Sequence, residues 1–322
     1  MFQIEPILWL RSLTSPAMDW LMTTISQLGY SEVYGTIMVC LVFGVHLRKG
    51  LAVMIAAIIV GLLTFSLKTT IQFPRPSDVD IRVLPEGYQL PFDLKESGAG
   101  TSFWDLPSIE ARRLVSMQPD WSYGLPSGHV SSATVCLLAI AFFFRSRSVL
   151  WFSMLWIPLM CLSRMYLGRH FLADVIGGVL VGMLGLWLAH VLLRKLLRDE
   201  SSEWRTLIPL AFLIIPIATV APFASQIHNE NAGRVLALLT IYAYLIQQGI
   251  PKDSGSFWKR AGRVVIVSIN FVLIDMILKG FLEPHGWDEL PVVAMMSTYL
   301  TFVIAFVGGI VISKQAGLYQ ME

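Results

Sequence analysis

Apolar runs separated by short charged or proline-containing breaks cover most of this chain. The first uninterrupted run, 31–46, stops at Arg48 and Lys49. The second, 51–73, carries Lys68 near its end and meets Pro74 and Pro76, which do not continue a helix. Further runs occupy 127–144, 149–162 and 171–193, and four more follow a charged linker, at 206–223, 232–250, 264–282 and 291–313. A membrane-crossing helix needs roughly 20 apolar residues, and backbone in a bilayer has to satisfy its own hydrogen bonds. The pattern therefore predicts an all-α fold, a polytopic transmembrane helical bundle of about nine spans. The segment 1–30 is different, because Glu5, Pro6, Arg11, Pro16 and Asp19 interrupt it. It predicts two short amphipathic helices lying in the membrane interface, with Trp9 and Trp20 at that depth. The chain thus divides into an interfacial segment 1–30, a helical core 31–198 and additional C-terminal spans within 199–322.

One polar stretch, 77–125, is long enough to be an extramembrane loop. It holds eight carboxylates, from Asp78 to Asp120, together with Tyr88, Trp104, Trp121 and Tyr123. Loops of this length are usually functional. Two readings stand side by side, a surface insertion that only connects two spans and a lid whose aromatics touch headgroups or substrate.

Composition agrees with the membrane assignment: 55% of residues are hydrophobic and 14% charged. Mean hydropathy is +0.64. A net charge of +2 is too small to suggest nucleic acid as a partner. Cys40, Cys136 and Cys161 all lie in apolar runs and show neither a disulfide framework nor metal-ligand spacing. No residue pattern calls for a metal or another cofactor. Loop charge sets orientation. Taking alternate ends of the nine spans, one set of connections collects thirteen Lys and Arg, including Arg48, Lys49, Arg145, Arg147, Arg194 and Arg263. On the opposite side, the short loops 224–230 and 283–290 contain none. The basic set is expected in the cytoplasm.

The candidate chemistry lies in three segments, all on the less basic side. The first is 163–174, which places Ser163, Arg164, His170 and Asp174 at a membrane surface, where such groups are costly unless they line a wet cavity. With a helix from Phe171, His170 and Asp174 are spaced i,i+4, so the carboxylate can hold one ring nitrogen and leave the other as a lone pair. By itself this also fits a helix-start histidine beside an ordinary aspartate. The second segment is Pro126-Ser127-Gly128-His129, at the start of a span. The third is Lys68 with Arg75-Pro76. If the helix persists through 75, the two cations fall on one side. His46, His190, His228 and His285 lie outside these segments and read as ordinary surface or interfacial histidines. Asp275 and Lys279, also i,i+4, read as a mutual ion pair or as a polar wall of a substrate cavity.

The order Lys-x6-Arg-Pro, Pro-Ser-Gly-His, Ser-Arg-x5-His-x3-Asp resembles the type 2 phosphatidic acid phosphatase superfamily, complete at every signature position between Lys68 and Asp174. The resemblance implies an integral membrane phosphatase, with 31–198 as its catalytic core. His170 is then the nucleophile that forms a phosphohistidine, His129 the acid and base, and Asp174 the group that orients His170. Lys68, Arg75, Ser127, Gly128 and Arg164 would bind phosphate. The implied substrate is a lipid phosphate monoester or diphosphate drawn from the lipid bilayer, without a metal or cofactor. The site is expected on the non-cytoplasmic face of an inner or plasma membrane. Other branches leave alternatives: a membrane phosphatase of a soluble sugar phosphate, a lipid phosphotransferase, or a non-catalytic transporter or scaffold, for which two motif histidines have no evident use.

Overall fold

The apolar runs fold as helices, and every regular element among the described residues is helical. The computed structural model describes residues 1–84, 87, 89, 90, 93, 94, 96–118, 122–198 and 226–319. In chain order the helices are α1 (Glu5–Ser12), α2 (Pro16–Gln27), α3 (Ser31–Val39), α4 (Leu47–Ile71), α5 (Pro76–Val79), α6 (Ile109–Ser116), α7 (Gly128–Phe143), α8 (Arg147–Tyr166), α9 (Leu172–Arg198), α10 (Gln226–Gln248), α11 (Phe257–Leu282) and α12 (Pro291–Gln315). Local chemistry sets several starts. Ser15 precedes Pro16 and accepts the Met18 N–H at 3.2 Å, and Ser146 accepts that of Val149 at 3.3 Å.

Five helical segments are long and apolar enough to cross a membrane: Leu47–Val79, Arg147–Tyr166, Leu172–Leu193, Phe257–His285 and Pro291–Gln315. A sixth arises if Pro16–Gln27 and Ser31–Val45, bent by 54°, form one broken span. The expected nine are not reached among the described residues, for separate reasons. The expected span 31–46 appears as α3 continued by a π-helical turn, Cys40–Val45, and joins α2 in the bent pair. The 16 residues of α7 rise about 24 Å, short of the roughly 30 Å hydrocarbon core. α10 begins with Gln226, Asn229, Glu230, Asn231 and Arg234, too polar to qualify. The expected span 206–223 lies outside the described residues.

The chain separates into two compact units, Met1–Tyr34 with Ile59–Leu188, and Gly35–Ile58 with Ala189–Glu322. In the first, α8 packs on α7 and on α2. Gly178 and Gly182 bring α9 close to the start of α7. A Cβ on Gly178 would lie 2.7 Å from the Ser127 carbonyl oxygen, and one on Gly182 2.6 Å from Thr134 Cβ. The segment 1–30 packs into this unit through its apolar face, with Ile4 and Ile7 buried against Val79, Val83 and Phe171, while Trp9 and Trp20 are exposed. The stretch 77–125 is not structureless, since α6 and a short turn at Ile81–Val83 fold within it, and Val83 and Ala111 join the same apolar cluster.

In the second unit α12 packs against α10 and α11, and Phe43 meets Phe306 edge-on at 5.1 Å. Asp275 and Lys279 are paired at 2.9 Å, as their spacing predicts. Arg263 is fully buried, 4.0 Å from Asp253 and 4.5 Å over the Tyr319 ring.

Candidate functional site

Three helix ends of the first unit carry the candidate residues. α4 delivers Lys68 in its last turn and stops at Ile71. Gln72 takes the left-handed conformation (φ 53°), and the chain is extended at Arg75. The helix therefore does not persist through 75, and Lys68 and Arg75 are aligned by something other than helical repeat. Both hold the strip 122–124 at the end of the long loop. Lys68 Nζ donates to the carbonyls of Tyr123 and Gly124, the latter at 3.3 Å, and Arg75 Nη2 donates to Ser122 Oγ at 2.5 Å. The Gly124 N–H returns a bond to the Phe73 carbonyl at 2.8 Å. Glycine is required at 124 for space, because a Cβ there would sit 2.7 Å from the Pro74 oxygen and 2.9 Å from Asp174 Oδ2.

α7 starts at the second segment. Ser127 precedes the helix, its N–H donates to the Asp174 carbonyl at 2.8 Å, and its own hydroxyl is buried without a hydrogen-bond partner. Gly128 has open room beside it: a Cβ would meet only the Thr64 methyl, at 3.9 Å. His129 lies edge-on against Tyr30 at 4.9 Å, and its Nε2 is buried without a partner. α8 brings Arg164 in its last turn. Its Nη1 donates to Ser26 Oγ at 2.5 Å, and its Nε has no partner.

Between α8 and α9 the chain turns at Gly168 (φ 66°), where a side chain would also run into Val83. His170 follows, and α9 begins at Leu172, one residue later than expected. Asp174 acts from the first turn of α9. Its Oδ2 accepts the Phe171 N–H at 2.9 Å and faces His170 Nδ1 at 3.3 Å. His170 and Asp174 are both buried. Burial, joined by the positive charges of Lys68, Arg75 and Arg164, pushes His170 well below the ordinary histidine range. The imidazole is therefore held neutral.

The structure thus brings all three segments to one place. Five buried polar atoms of the candidate residues, Arg75 Nε, Ser127 Oγ, His129 Nε2, Arg164 Nε and Asp174 Oδ1, have no hydrogen-bond partner. Unpartnered buried polar atoms are rare in folded proteins and concentrate at sites that bind something. Four of the five, all but Asp174 Oδ1, are possible donors next to a cluster of cations, an arrangement suited to an oxyanion. Residues outside the motifs also shape the site. Ser26 and Tyr30 come from the N-terminal segment, Ser122–Gly124 from the loop end, and Asp78 accepts the Arg75 N–H at 2.7 Å. Only Asp78 had a sequence signal, its position three residues after Arg75 just past a proline, where a carboxylate caps a helix start.

A family model described as the PAP2 superfamily matches residues 49–198, which include all eight candidate residues. No curated protein matches the chain. Among solved structures the chain is similar to the crystal structure of Aquifex aeolicus LpxE, at 19% identity and a TM-score of 0.42, over 59% of this chain and 94% of that one. The segment 49–198, with its lysine, arginines, two histidines and aspartate at three neighbouring helix ends, is a PAP2 superfamily segment.

Proposed function

We propose that this protein is an integral membrane phosphatase that hydrolyses a lipid phosphate through a phosphohistidine on His170. Members of the superfamily are phosphatases, which sets the reaction class. The observation that carries the finer reading is the convergence of unpartnered donors on Arg75, Ser127 and Arg164 beside a buried, neutral His170.

In this reading the phosphate sits among Lys68, Arg75 and Arg164, with the Ser127 hydroxyl and the Gly128 N–H as further donors. Asp174 engages Nδ1 of His170, so the attacking lone pair is on Nε2. Nε2 bonds to phosphorus as the ester P–O bond breaks, and the leaving alkoxide takes a proton from His129. A water then attacks the phosphohistidine, giving a proton to His129, and the P–N bond breaks to release phosphate. Asp174 stabilises the imidazolium character that develops on His170. Positive charge comes from three side chains, so the mechanism has no step for a metal ion.

Two features support a lipid substrate. α8 and α9, which carry Arg164 and Asp174, expose large apolar side chains such as Trp151, Leu155, Leu180 and Trp187. Walls of this kind face acyl chains. Drawing a long-chain lipid into water costs about 0.8 kcal/mol per CH₂, so a phosphate that stays anchored reaches the helix ends more cheaply by lateral entry. The site is assigned to the non-cytoplasmic face, from the loop-charge bias.

The test compares kcat/KM for a long-chain lipid phosphate and for glucose 6-phosphate in nanodiscs, with a chelator present. The expected result is efficient, chelator-resistant, vanadate-sensitive hydrolysis of the lipid and an acid-labile phosphoenzyme. Preference for the sugar would reverse the substrate assignment, and activity restored only by added magnesium would reverse the mechanism. For orientation, a cysteine at exposed Glu96 is expected to react with an impermeant thiol reagent in intact cells, and one at exposed Ser148 is not. The opposite pattern would overturn the face.

A further inference from the structure

Next to the candidate site lies a groove of about 460 Å³ that the proposed mechanism does not use. One wall is the end of α4 and the residues that follow it, Ile71 to Phe73. The other is a face of α6 with Ile109, Arg112 and Arg113. The Arg112 guanidinium lies over the Phe73 ring at 5.7 Å, and its Nε is buried without a hydrogen-bond partner. Among the described residues neither Arg112 nor Arg113 has a carboxylate within ion-pair distance. Two unneutralised guanidinium groups over a groove attract an anion.

The groove is tied to the phosphate-binding cations by the chain itself. Phe73 is two residues before Arg75, and its carbonyl accepts the Gly124 N–H. Gln72 donates to the Tyr123 hydroxyl at 3.1 Å, and the Tyr123 and Gly124 carbonyls hold Lys68. The same loop exposes large apolar side chains, Trp104 and Ile109 at 77% each, with Phe103, Leu106 and Met117. Exposed tryptophan and aliphatic side chains around paired arginines are the composition of a surface at lipid-headgroup depth.

We propose that this groove is a second anion subsite, which binds another phosphate or carboxylate of the same lipid headgroup whose phosphate is hydrolysed. The preferred substrate then carries two anionic groups near each other, and Arg112 and Arg113 determine specificity without taking part in the chemistry. This inference rests on the lipid-phosphatase reading.

The test uses the full chain in zwitterionic nanodiscs and two lipids of equal chain length, one with a single phosphate monoester and one with a second phosphate in its headgroup. For the wild type the two-phosphate lipid is expected to have the lower KM, by about tenfold, the size of one charge-assisted hydrogen bond. R112Q and R113Q are each expected to raise KM for that lipid several-fold and leave its kcat, and both constants for the one-phosphate lipid, unchanged. Arg113 is exposed, so R113Q is free of the packing change that R112Q makes. Equal losses on both lipids, or no loss on either, would overturn the subsite. A third arm adds an anionic lipid that is not a substrate. If this accelerates hydrolysis of the one-phosphate lipid in the wild type but not in the arginine variants, the groove holds a neighbouring lipid, and the same-headgroup assignment falls. If the wild type hydrolyses neither lipid, the underlying phosphatase reading fails together with the subsite. Hydrolysis of both without discrimination removes the subsite alone.

Discussion

Each unit buries an arginine, and the two are treated differently by their surroundings. Arg164 is 6% exposed and Arg263 is 0% exposed, so both pay a desolvation penalty that needs compensation. Arg263 has its charge answered internally, though its guanidinium nitrogens are buried without a hydrogen-bond partner. Asp253 lies 4.0 Å from Nη1 and the Tyr319 ring 4.5 Å from the guanidinium carbon. Burial pushes the Tyr319 hydroxyl up to about 12, so that side chain faces the cation as a neutral ring. Arg164 has no carboxylate within ion-pair distance among the described residues. It has one hydroxyl, Ser26, and the company of Lys68, Arg75 and two histidines. The charge of Arg263 is balanced within the fold. The cations around Arg164 lack such a counter-charge, and in the function proposed above the anionic ligand supplies it, with the unpartnered Nε atoms of Arg164 and Arg75 as donors.

The largest expected effect tests whether the first cluster is chemical at all. His170→Ala is expected to lower kcat by at least about 10³-fold with the melting temperature retained, read by phosphate release and by loss of the phosphoenzyme. Normal turnover in that variant would reduce the cluster to the structural status of the Arg263 pair. Next, Arg164→Lys keeps the charge and removes the fork. It is expected to lower kcat/KM by about 10²-fold, whereas Arg263→Lys leaves activity per folded molecule unchanged. Equal activity losses in the two lysine variants would erase the contrast. Asp253→Ala leaves Arg263 buried without its carboxylate. The expected cost is about 2–3 kcal/mol of stability, below the usual figure for a buried pair because Asp253 is partly exposed. Thermal denaturation in detergent measures it, with kcat as the quantity that stays put. The smallest effect is that of Gly178→Ala. The new methyl meets the Ser127 carbonyl and is expected to cost about 1–2 kcal/mol and lower activity a few-fold by displacing Ser127. An unchanged melting temperature there would show that α9 shifts freely on α7.

What the sequence carried, it carried locally. The cores of α7, α8 and α9 were legible because apolar runs end at charges or glycines. Each candidate residue was legible because it stands within a few positions of such an end. Gly178 and Gly182 of α9 stand inside the apolar run 171–193, and they meet Ser127 and Thr134. What was missed depends on distance along the chain. Nothing near Arg164 announces Ser26, 138 residues earlier, and nothing near Lys68 announces the carbonyls of 123 and 124. These contacts exist only after packing. Helical repeat also misled where a single backbone angle intervened. The left-handed Gln72 ends α4 before Arg75, and among the described residues fewer than nine spans qualify, in part because α7 is short and α10 is polar at its start.

The bonds that hold 122–124 set a limit on modular exchange. The stretch 77–125 looks in sequence like a cassette between two helices, replaceable as one piece. Its last residues instead belong to the anchoring of Lys68 and Arg75, and a graft that ran through to Leu125 would replace ligands of the site along with the decoration. The seams that spare these contacts lie after Val83, because Asp78, Val79 and Val83 belong to the site and its core, and ahead of Ser122. Transplants confined between them would carry α6 with Arg112 and Arg113, the proposed second subsite, and leave the residues that hold Lys68 and Arg75 in place.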